Sequence, residues 1–327
     1  MRYVIRKIVF YLVAVWAALT LNFMIPRLIP GNPVDALLAR TQLSTPLPPS
    51  ARASLELQFG VSHDPLWKQY LQYLSNLAHA RLGMSVSFYP TPVSTVLRQS
   101  IWWTLILVGV ATIISVLIGL TLGMVAGWKR GTWVDSVLPV STFLAAIPFF
   151  WLGVVLVYLF ASTFKFFPIG QGYDDTTSTI GLNGPFLSSA IYHAILPAIT
   201  IVLSSVAGWM LGMRNMMVST MGEDYVLTAE AKGLRPRRVM AFYAARNAVL
   251  PSVAGFAIAL GFVVSGSIIV ETVFNYPGLG SMLFQAVFNV DYQLMQAIFL
   301  IITLSVLGAN FLVDMLYAVI DPRTRGR

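Results

Sequence analysis

Six stretches of this chain are apolar over about 20 residues or more, the length that spans the hydrocarbon core of a bilayer as a helix. They are residues 8–28, 101–128, 136–164, 194–213, 248–270 and 295–318. In lipid the backbone must satisfy its own hydrogen bonds, which favours helices. Charged residues make up only 10% of the chain, against roughly 25% in soluble domains. The sequence therefore predicts an all-α integral membrane protein with six transmembrane helices.

The distribution of Lys and Arg predicts the orientation of these helices. If the N-terminus is cytoplasmic, most of the 21 Lys and Arg residues fall in the two terminal segments and in the inner loops. Short cytoplasmic loops carry such an excess in membrane proteins, so we expect both termini in the cytoplasm. The net charge of +8 is explained in this way, and no nucleic-acid partner is expected.

The chain divides into an N-terminal region and a core. Residues 1–94 hold the first helix and most of a long external segment, which covers residues 30–100. Residues 95–318 form the core with the other five helices, and a cytoplasmic loop at 216–250 lies within it. We expect the external segment to be either a plug packed on the outer ends of the helices or a docking surface for an external partner.

One short helix is predicted inside the external segment. Asp64 and Pro65 fit an N-cap followed by proline at the first helical position, and Gly83 is expected to end the helix. Helical spacing places five apolar side chains on one face. They are Trp67, Tyr70, Leu71, Leu74 and Leu77.

Small residues recur at every fourth position of the second predicted transmembrane helix. They are Ala111, Ser115, Gly119, Gly123 and Gly127. Such a stripe allows another helix to approach closely. It serves either general helix packing inside the membrane or, as a sharper interpretation, a subunit interface or mobile seam.

The second inner loop is long enough to fold. Glu223 and Asp224 place acids at a helix start, where the helix dipole favours them. A short helix is predicted from there to Lys232, Gly233 can adopt the left-handed backbone that ends it, and Pro236 can begin a second helix. Two helices joined at a glycine form a rigid projection, which can receive force from a soluble partner.

Five segments together carry a resemblance to a known family. Residues 224–234 and 246–251 are similar to a sequence known as the EAA loop, although its first Glu-Ala falls here on Leu227 and Thr228. The other segments are residues 30–33 with 82–85, 147–153, 271–280, and a C-terminal pattern of Asn310, Asp314, Tyr317 and 321–323. Taken together, and in their order along the chain, these segments resemble the permease subunits of binding-protein-dependent ABC importers, in the dipeptide, oligopeptide and nickel branch.

The resemblance implies the type I ABC importer permease fold and one half of a translocation pathway in a prokaryotic cytoplasmic membrane. It also implies as partners a second homologous permease subunit, two ABC ATPase subunits and an extracytoplasmic substrate-binding protein, besides membrane lipid. The sequence contains no G-x-x-x-x-G-K-[ST] phosphate-binding motif, so we expect ATP and Mg²⁺ to act on the ATPase subunits only. With no Cys and three scattered His, neither a metal site nor a bound cofactor is expected, and no catalytic residue is assigned.

Coupling to the ATPases is assigned by this resemblance to the second inner loop. The residues expected to contact an ATPase groove are Tyr225, Val226, Ala229, Ala231, Lys232, Gly233 and Leu234. The small and apolar side chains would sit in the groove, and the lysine would pair with an acid there. The alternative interpretation of this loop is a basic face held by anionic lipid.

Two acids lie near membrane depth, where a charge is costly and suggests a function. Glu271, at the outer end of the fifth predicted helix, is a candidate for the translocation path. Asp314 is expected to pair near the inner interface with a C-terminal Arg. His193 is expected to be structural and not a nickel ligand.

Several alternatives stay open at this point. Within the family branch, di- and oligopeptides are the expected cargo, and oligosaccharides, nickel and glutathione are alternatives. A self-contained secondary transporter or channel would usually place ionisable groups inside its spans. An intramembrane enzyme would need a nucleophile with its base, or a metal cluster, at membrane depth.

Overall fold

The computed structural model describes residues 2–41, 48–62, 64–129, 131, 137–265 and 268–320. Regular structure within these residues is helical, apart from one isolated β-bridge between Met84 and Pro92. The helices are α1 (Arg2–Leu28), α2 (Pro33–Thr41), α3 (Pro49–Gln58), α4 (Leu66–Ala78), α5 (Val93–Trp128), α6 (Val137–Ala146), α7 (Phe149–Leu156), α8 (Gly184–Thr220), α9 (Asp224–Ala231), α10 (Pro236–Arg238), α11 (Arg246–Ala248), α12 (Leu250–Phe262), α13 (Ile268–Val273), α14 (Leu279–Phe288) and α15 (Tyr292–Ile320). π-helical turns follow α7 (Val157–Thr163) and α10 (Val239–Ala245), and a 3₁₀ turn follows α12 (Val263–Ser265). Residues 321–323 and the side chain of Tyr317, which belong to the C-terminal pattern, lie outside the described residues.

Four of these helices are long and apolar enough to cross a membrane. They are Ile5–Leu28 within α1, all of α5 and α8, and Tyr292–Leu312 within α15. A fifth span results if Pro236–Ala248 and Leu250–Phe262, which meet at 48°, count as one bent helix. The protein is therefore an all-helical, multi-pass integral membrane protein, with four or five such spans in the part of the chain that the structure describes. The expected number of six stays a prediction.

The observed helix boundaries differ from the predicted spans, and two spans show the physical reasons. The stretch 136–164 is not one helix, because α6 ends at Ala146 and Pro148 is the N-cap of α7. Proline lacks an N–H group and disfavours helical geometry in the residue before it. By contrast, α8 has 37 residues and includes Pro197 in its interior. At 1.5 Å per residue it is about 55 Å long, so its ends extend beyond a hydrocarbon core of about 30 Å.

The chain forms two compact units. The first consists of Met1–Thr104, Val264–Ile268 and Pro277–Arg327, and the second of Leu105–Val263 and Ile269–Tyr276. In the first unit α1 packs along α15, and the start of α5 joins α14 and α15 in an apolar core. The buried members of this core are Val93, Val96, Leu97, Leu279, Leu283, Ala286, Leu294, Met295, Ala297 and Ile298. The first unit thus combines the N-terminal region with the last two helices.

The segment between α1 and α5 is fastened to the start of α15 by two polar side chains. The carboxylate of Asp291, which is fully buried, accepts hydrogen bonds from Ser85 Oγ at 2.5 Å and from the backbone N–H of Ser87 at 2.9 Å. The side chain of Gln293 accepts from the N–H of Met84 at 2.6 Å and donates to the carbonyl of Gln58 at 3.0 Å. This segment is therefore folded onto its own chain, which is the behaviour expected of a packing plug.

Helix α4 corrects two details of the sequence analysis. It begins at Leu66 with Pro65 in the N-cap position, and Asp64 instead pairs with Lys68 at 2.8 Å. This hydrogen bond to the lysine ammonium holds the pKa of Asp64 below its usual value. The helix ends at Ala78, well before Gly83.

The predicted apolar face of α4 is only partly turned inward. Tyr70 and Tyr73 contact the ring of Phe23, with centroids 5.2 Å and 5.6 Å away. Trp67 and Leu71 are 66% and 56% exposed. Helical spacing identified an apolar face, but only the position of α1 determines which part of that face is covered.

Asp314 pairs with the first helix, and the C-terminal Arg residues expected as its partner lie outside the described residues. Its carboxylate accepts hydrogen bonds from Lys7 Nζ at 2.6 Å and from the hydroxyl of Tyr11 at 2.8 Å. The two charged side chains are each 29% exposed, so the pair joins α1 to α15 in a partly dehydrated setting. The sequence could not identify this partner, because the residues are 307 positions apart.

We expect Asp314→Leu to destabilise the protein by about 1–3 kcal/mol, because it removes the carboxylate with which the partly buried ammonium group of Lys7 pairs. The double variant Lys7→Met/Asp314→Leu should recover part of this loss. Thermal unfolding in detergent measures both. Asp64→Leu, which removes a more exposed pair, is the control and should change the melting temperature little. Equal melting temperatures for Asp314→Leu and the parent would contradict the assignment.

In the second unit, the small-residue stripe of α5 lies directly against α8. A Cβ atom at Gly119 would lie 2.5 Å from Trp209 Cβ, and one at Gly127 would lie 2.5 Å from Met217 Cβ. At Gly123 it would overlap the backbone oxygen of Met210. The three glycines therefore allow two backbones of the same chain to touch, which corresponds to general helix packing.

Candidate functional site

The candidate site is the segment that follows α8, folded as two helical limbs that we call the 224–248 hairpin. Three backbone hydrogen bonds close the turn from α8 into α9, and Glu223 is the N-cap of α9. Asp224 lies in the first helical turn, where the partial positive charge of the helix end stabilises an acid. These local features explain why the first limb begins here.

The first limb ends in a Schellman motif. Gly233 has φ +72°, and its N–H donates to the carbonyl of Glu230 at 2.8 Å. The N–H of Leu234 donates to the carbonyl of Ala229 at 3.4 Å. Both bonds and the left-handed residue are the features that define this helix ending.

The second limb is one helical run whose hydrogen-bond pattern changes twice. It begins at Pro236, adopts a π-helical turn over Val239–Ala245, and ends with α11. Proline is favoured at the first helical position because that N–H has no helical partner. π-helical turns are rare and are often found at functional sites.

The inner faces of the two limbs pack on α8 as an apolar cluster. Val226 and Ala229 of the first limb are 0% and 2% exposed. The other buried members are Met213, Met217, Val239, Ala244, Ala245 and Ala248, and Leu120, Met124 and Trp128 of α5 pack against them. The hairpin is therefore packed on the ends of α5 and α8 through an apolar core that it shares with them.

The predicted coupling residues divide between the two faces of the hairpin. Tyr225 is 40% exposed, and three more of the set are also exposed, namely Ala231, Lys232 and Gly233. The predicted contact of Val226 and Ala229 with an ATPase groove needs correction, because side chains buried in their own chain cannot sit in the groove of another protein. Leu234 is half-buried against the same core.

Leu227, which departs from the family motif and is not among the predicted coupling residues, is 50% exposed on the outer face. Sequence spacing gave no sign of this division, because the first limb has only eight residues. Apolar residues of similar type lie on both faces of this short helix, so their spacing does not show which face is buried. The outer face of the first limb is therefore formed by the exposed residues Tyr225, Leu227, Thr228, Glu230, Ala231, Lys232 and Gly233.

The remaining candidates lie elsewhere in the chain. Glu271 is fully buried in the second unit, where its carbonyl accepts a hydrogen bond from the N–H of Tyr276 at 2.7 Å. His193 lies in α8, with Nδ1 2.8 Å from the carbonyl of Ser189. No group of three or more potential metal-ligating side chains occurs within the ranges that the structure covers.

Comparison with known proteins identifies the family. Residues 119–326 match the family described as binding-protein-dependent transport system inner membrane component. The chain is 30% identical over 323 residues to the oligopeptide transport system permease protein AppB of Bacillus subtilis, covering 98% of both chains. It is 34% identical over 330 residues to the di/tripeptide transport system permease protein DppB of Pseudomonas aeruginosa, and 32% over 322 residues to the dipeptide transport system permease protein DppB of Escherichia coli, each covering 93% of both chains.

The chain therefore belongs to the family of inner-membrane components of binding-protein-dependent transport systems, which are the permease subunits of ABC importers. The resemblance to the peptide branch of this family is confirmed. Members of the family are transport subunits and not catalytic enzymes.

Proposed function

We propose that this chain is the membrane permease subunit of an ATP-driven importer of di- and oligopeptides, and that it forms half of the translocation pathway. A second homologous permease would form the other half, two ATPase subunits would supply the energy, and an extracytoplasmic binding protein would deliver cargo. Both termini and the 224–248 hairpin would lie in the cytoplasm, as the distribution of Lys and Arg favours.

The observation that best supports the coupling role is that the hairpin has one buried face and one exposed face. Its inner face is buried against the ends of α5 and α8. Its outer face presents Tyr225 and Leu227, 40% and 50% exposed, together with the cation Lys232. A partner that pulls on the outer face thereby moves the inner face and both helices with it.

The transport cycle follows from this arrangement. Closure of the ATPase pair would displace the hairpin and rock the helices between inward-open and outward-open states, as in alternating access. The coupling free energy comes from contacts that differ between the two states. Glu271 stays a candidate for the translocation path.

Peptides are the proposed cargo because the three relatives named above carry oligopeptide, di/tripeptide or dipeptide in their names. Oligosaccharides, nickel and glutathione are the alternatives within the branch. A secondary transporter or channel is the alternative of another class, and it would transport cargo without ATPase subunits.

Reconstitution of the chain with its partner subunits in liposomes tests this proposal. We expect uptake of a labelled dipeptide that requires ATP, the ATPase subunits and the loaded binding protein together. Liposomes that contain the two permeases alone are the control. Uptake by these control liposomes would favour a self-contained transporter. ATP-driven uptake of nickel or an oligosaccharide, without uptake of the dipeptide, would contradict the assignment of peptides as the cargo.

A further inference from the structure

A groove beside the hairpin has the construction of a lipid-binding site. Its volume is about 270 Å³, and most of its lining is apolar. It is bordered by α5, α8, the second limb of the hairpin and the start of α12. Its lining residues are Leu120, Thr121, Met124, Met213, Ala241, Ala245, Arg246 and Val249.

The groove lies where the membrane spans meet the hairpin. Leu120 and Met124 are within the last three turns of the span α5, and Val249 immediately precedes α12. Phe242 and Leu250, which follow the lining residues Ala241 and Val249 in the sequence, are 67% and 63% exposed. Apolar surface of this extent at the end of spanning helices faces acyl chains in a bilayer.

Among the described residues, Arg246 is the charged residue that lines this groove. It is exposed, and it forms no ion pair or side-chain hydrogen bond with the residues that the structure describes. Arg237 and Arg238 lie on the same limb, Arg235 immediately precedes it, and residues 235–250 contain no acid. A guanidinium group with free N–H donors binds phosphate oxygens in bidentate geometry.

We propose that the groove holds one acyl chain of an anionic phospholipid, with the phosphate of its headgroup bound by Arg246. The apolar lining accounts for the chain, the arginine for the phosphate, and the three neighbouring arginines for a preference for net negative headgroups. The hairpin would then contact an ATPase with its first limb and a lipid with its second. This site rests on the geometry of the second unit and does not require the proposed cargo.

Native mass spectrometry of the purified full-length chain, alone and in the assembled complex, tests the site. The probes are phosphatidylglycerol, diacylglycerol, which lacks the phosphate, and inorganic phosphate, which lacks the chains. We expect phosphatidylglycerol to bind at least about tenfold more tightly than either of the others, because both parts of the site contribute.

Two variants and a matched control locate the site. Arg246→Gln should weaken phosphatidylglycerol binding by about tenfold or more through loss of a charged hydrogen bond. Ala241→Phe, at an exposed position, should fill the groove and weaken binding similarly. Arg235→Gln removes the same charge at the residue that caps this limb, outside the groove, and should weaken binding only a few-fold.

Three outcomes would overturn the proposal. One is an equal effect of Arg246→Gln and Arg235→Gln, and another is unchanged binding by Ala241→Phe. The third is binding by the isolated chain that disappears in the assembled complex, which would mean that a partner subunit covers the groove. Because the readout is lipid binding, none of these outcomes depends on transport, and a failed transport assay would leave this proposal intact.

Discussion

Replacing Gly233 by proline is expected to reduce cargo-stimulated ATP hydrolysis of the assembled importer by more than about tenfold. Proline fixes φ near −65° and lacks an N–H group, whereas Gly233 has φ +72° and donates to Glu230 at 2.8 Å. Loss of the Schellman motif frees Leu234 from its core and changes the angle between the two limbs. A tenfold effect requires a change of only about 1.4 kcal/mol in the activation free energy.

Gly233→Asn is the matched control for this prediction. A Cβ atom at position 233 has no neighbour within 4 Å, so backbone conformation is the constraint there and not space. Asparagine enters the left-handed region more readily than other side chains, and its variant should keep most of the stimulated turnover. ATPase activity with and without loaded binding protein measures the effect. Full stimulation of ATP hydrolysis in the Gly233→Pro variant would contradict a role of the hairpin in coupling.

Gly123→Val is expected to destabilise the protein by about 3 kcal/mol or more. A Cβ atom at this position would overlap the carbonyl oxygen of Met210 and lie 2.8 Å from Met213 Cβ. Backbone cannot yield as a side chain can, so α5 and α8 must separate and lose packing along their whole contact. Expression level and thermal unfolding in detergent report the loss.

Gly212→Ala on α8 tests whether any glycine substitution in these helices has this effect. Nothing lies within 4 Å of a Cβ atom at Gly212, and alanine is the better helix former. The variant should be as stable as the parent or slightly more stable. Similar destabilisation by Gly123→Val and Gly212→Ala would contradict the close approach of the two backbones.

Local rules predicted the parts of the structure that depend on neighbouring residues. Gly233 ends the first limb because only a left-handed residue can satisfy the last carbonyls of that helix. Pro236 begins the second limb, and Asp224 lies in the first turn of α9. The apolar runs identified α1, α5, α8 and α15, since a helix that spans a bilayer needs that length.

Features that depend on distant contacts could not be predicted in this way. Asp291 accepts a hydrogen bond from Ser85, which is 206 positions away in the sequence. Asp314 pairs with Lys7, which is 307 positions away. Which face of the first limb is covered depends on where α8 lies, so Val226 was assigned to the wrong face. In each case the residue type was informative, but its partner was determined by the packing of whole helices.

The most direct test of the account places a photo-reactive amino acid, p-benzoylphenylalanine, at Leu227 in the assembled importer. Illumination is predicted to cross-link this position to an ATPase subunit, since Leu227 lies half-exposed on the outer face of the hairpin. The same amino acid at Trp67, which is 66% exposed in the other unit, should give no such product. Cross-links from position 227 to lipid alone, or to no protein of the complex, would contradict the proposed route of coupling.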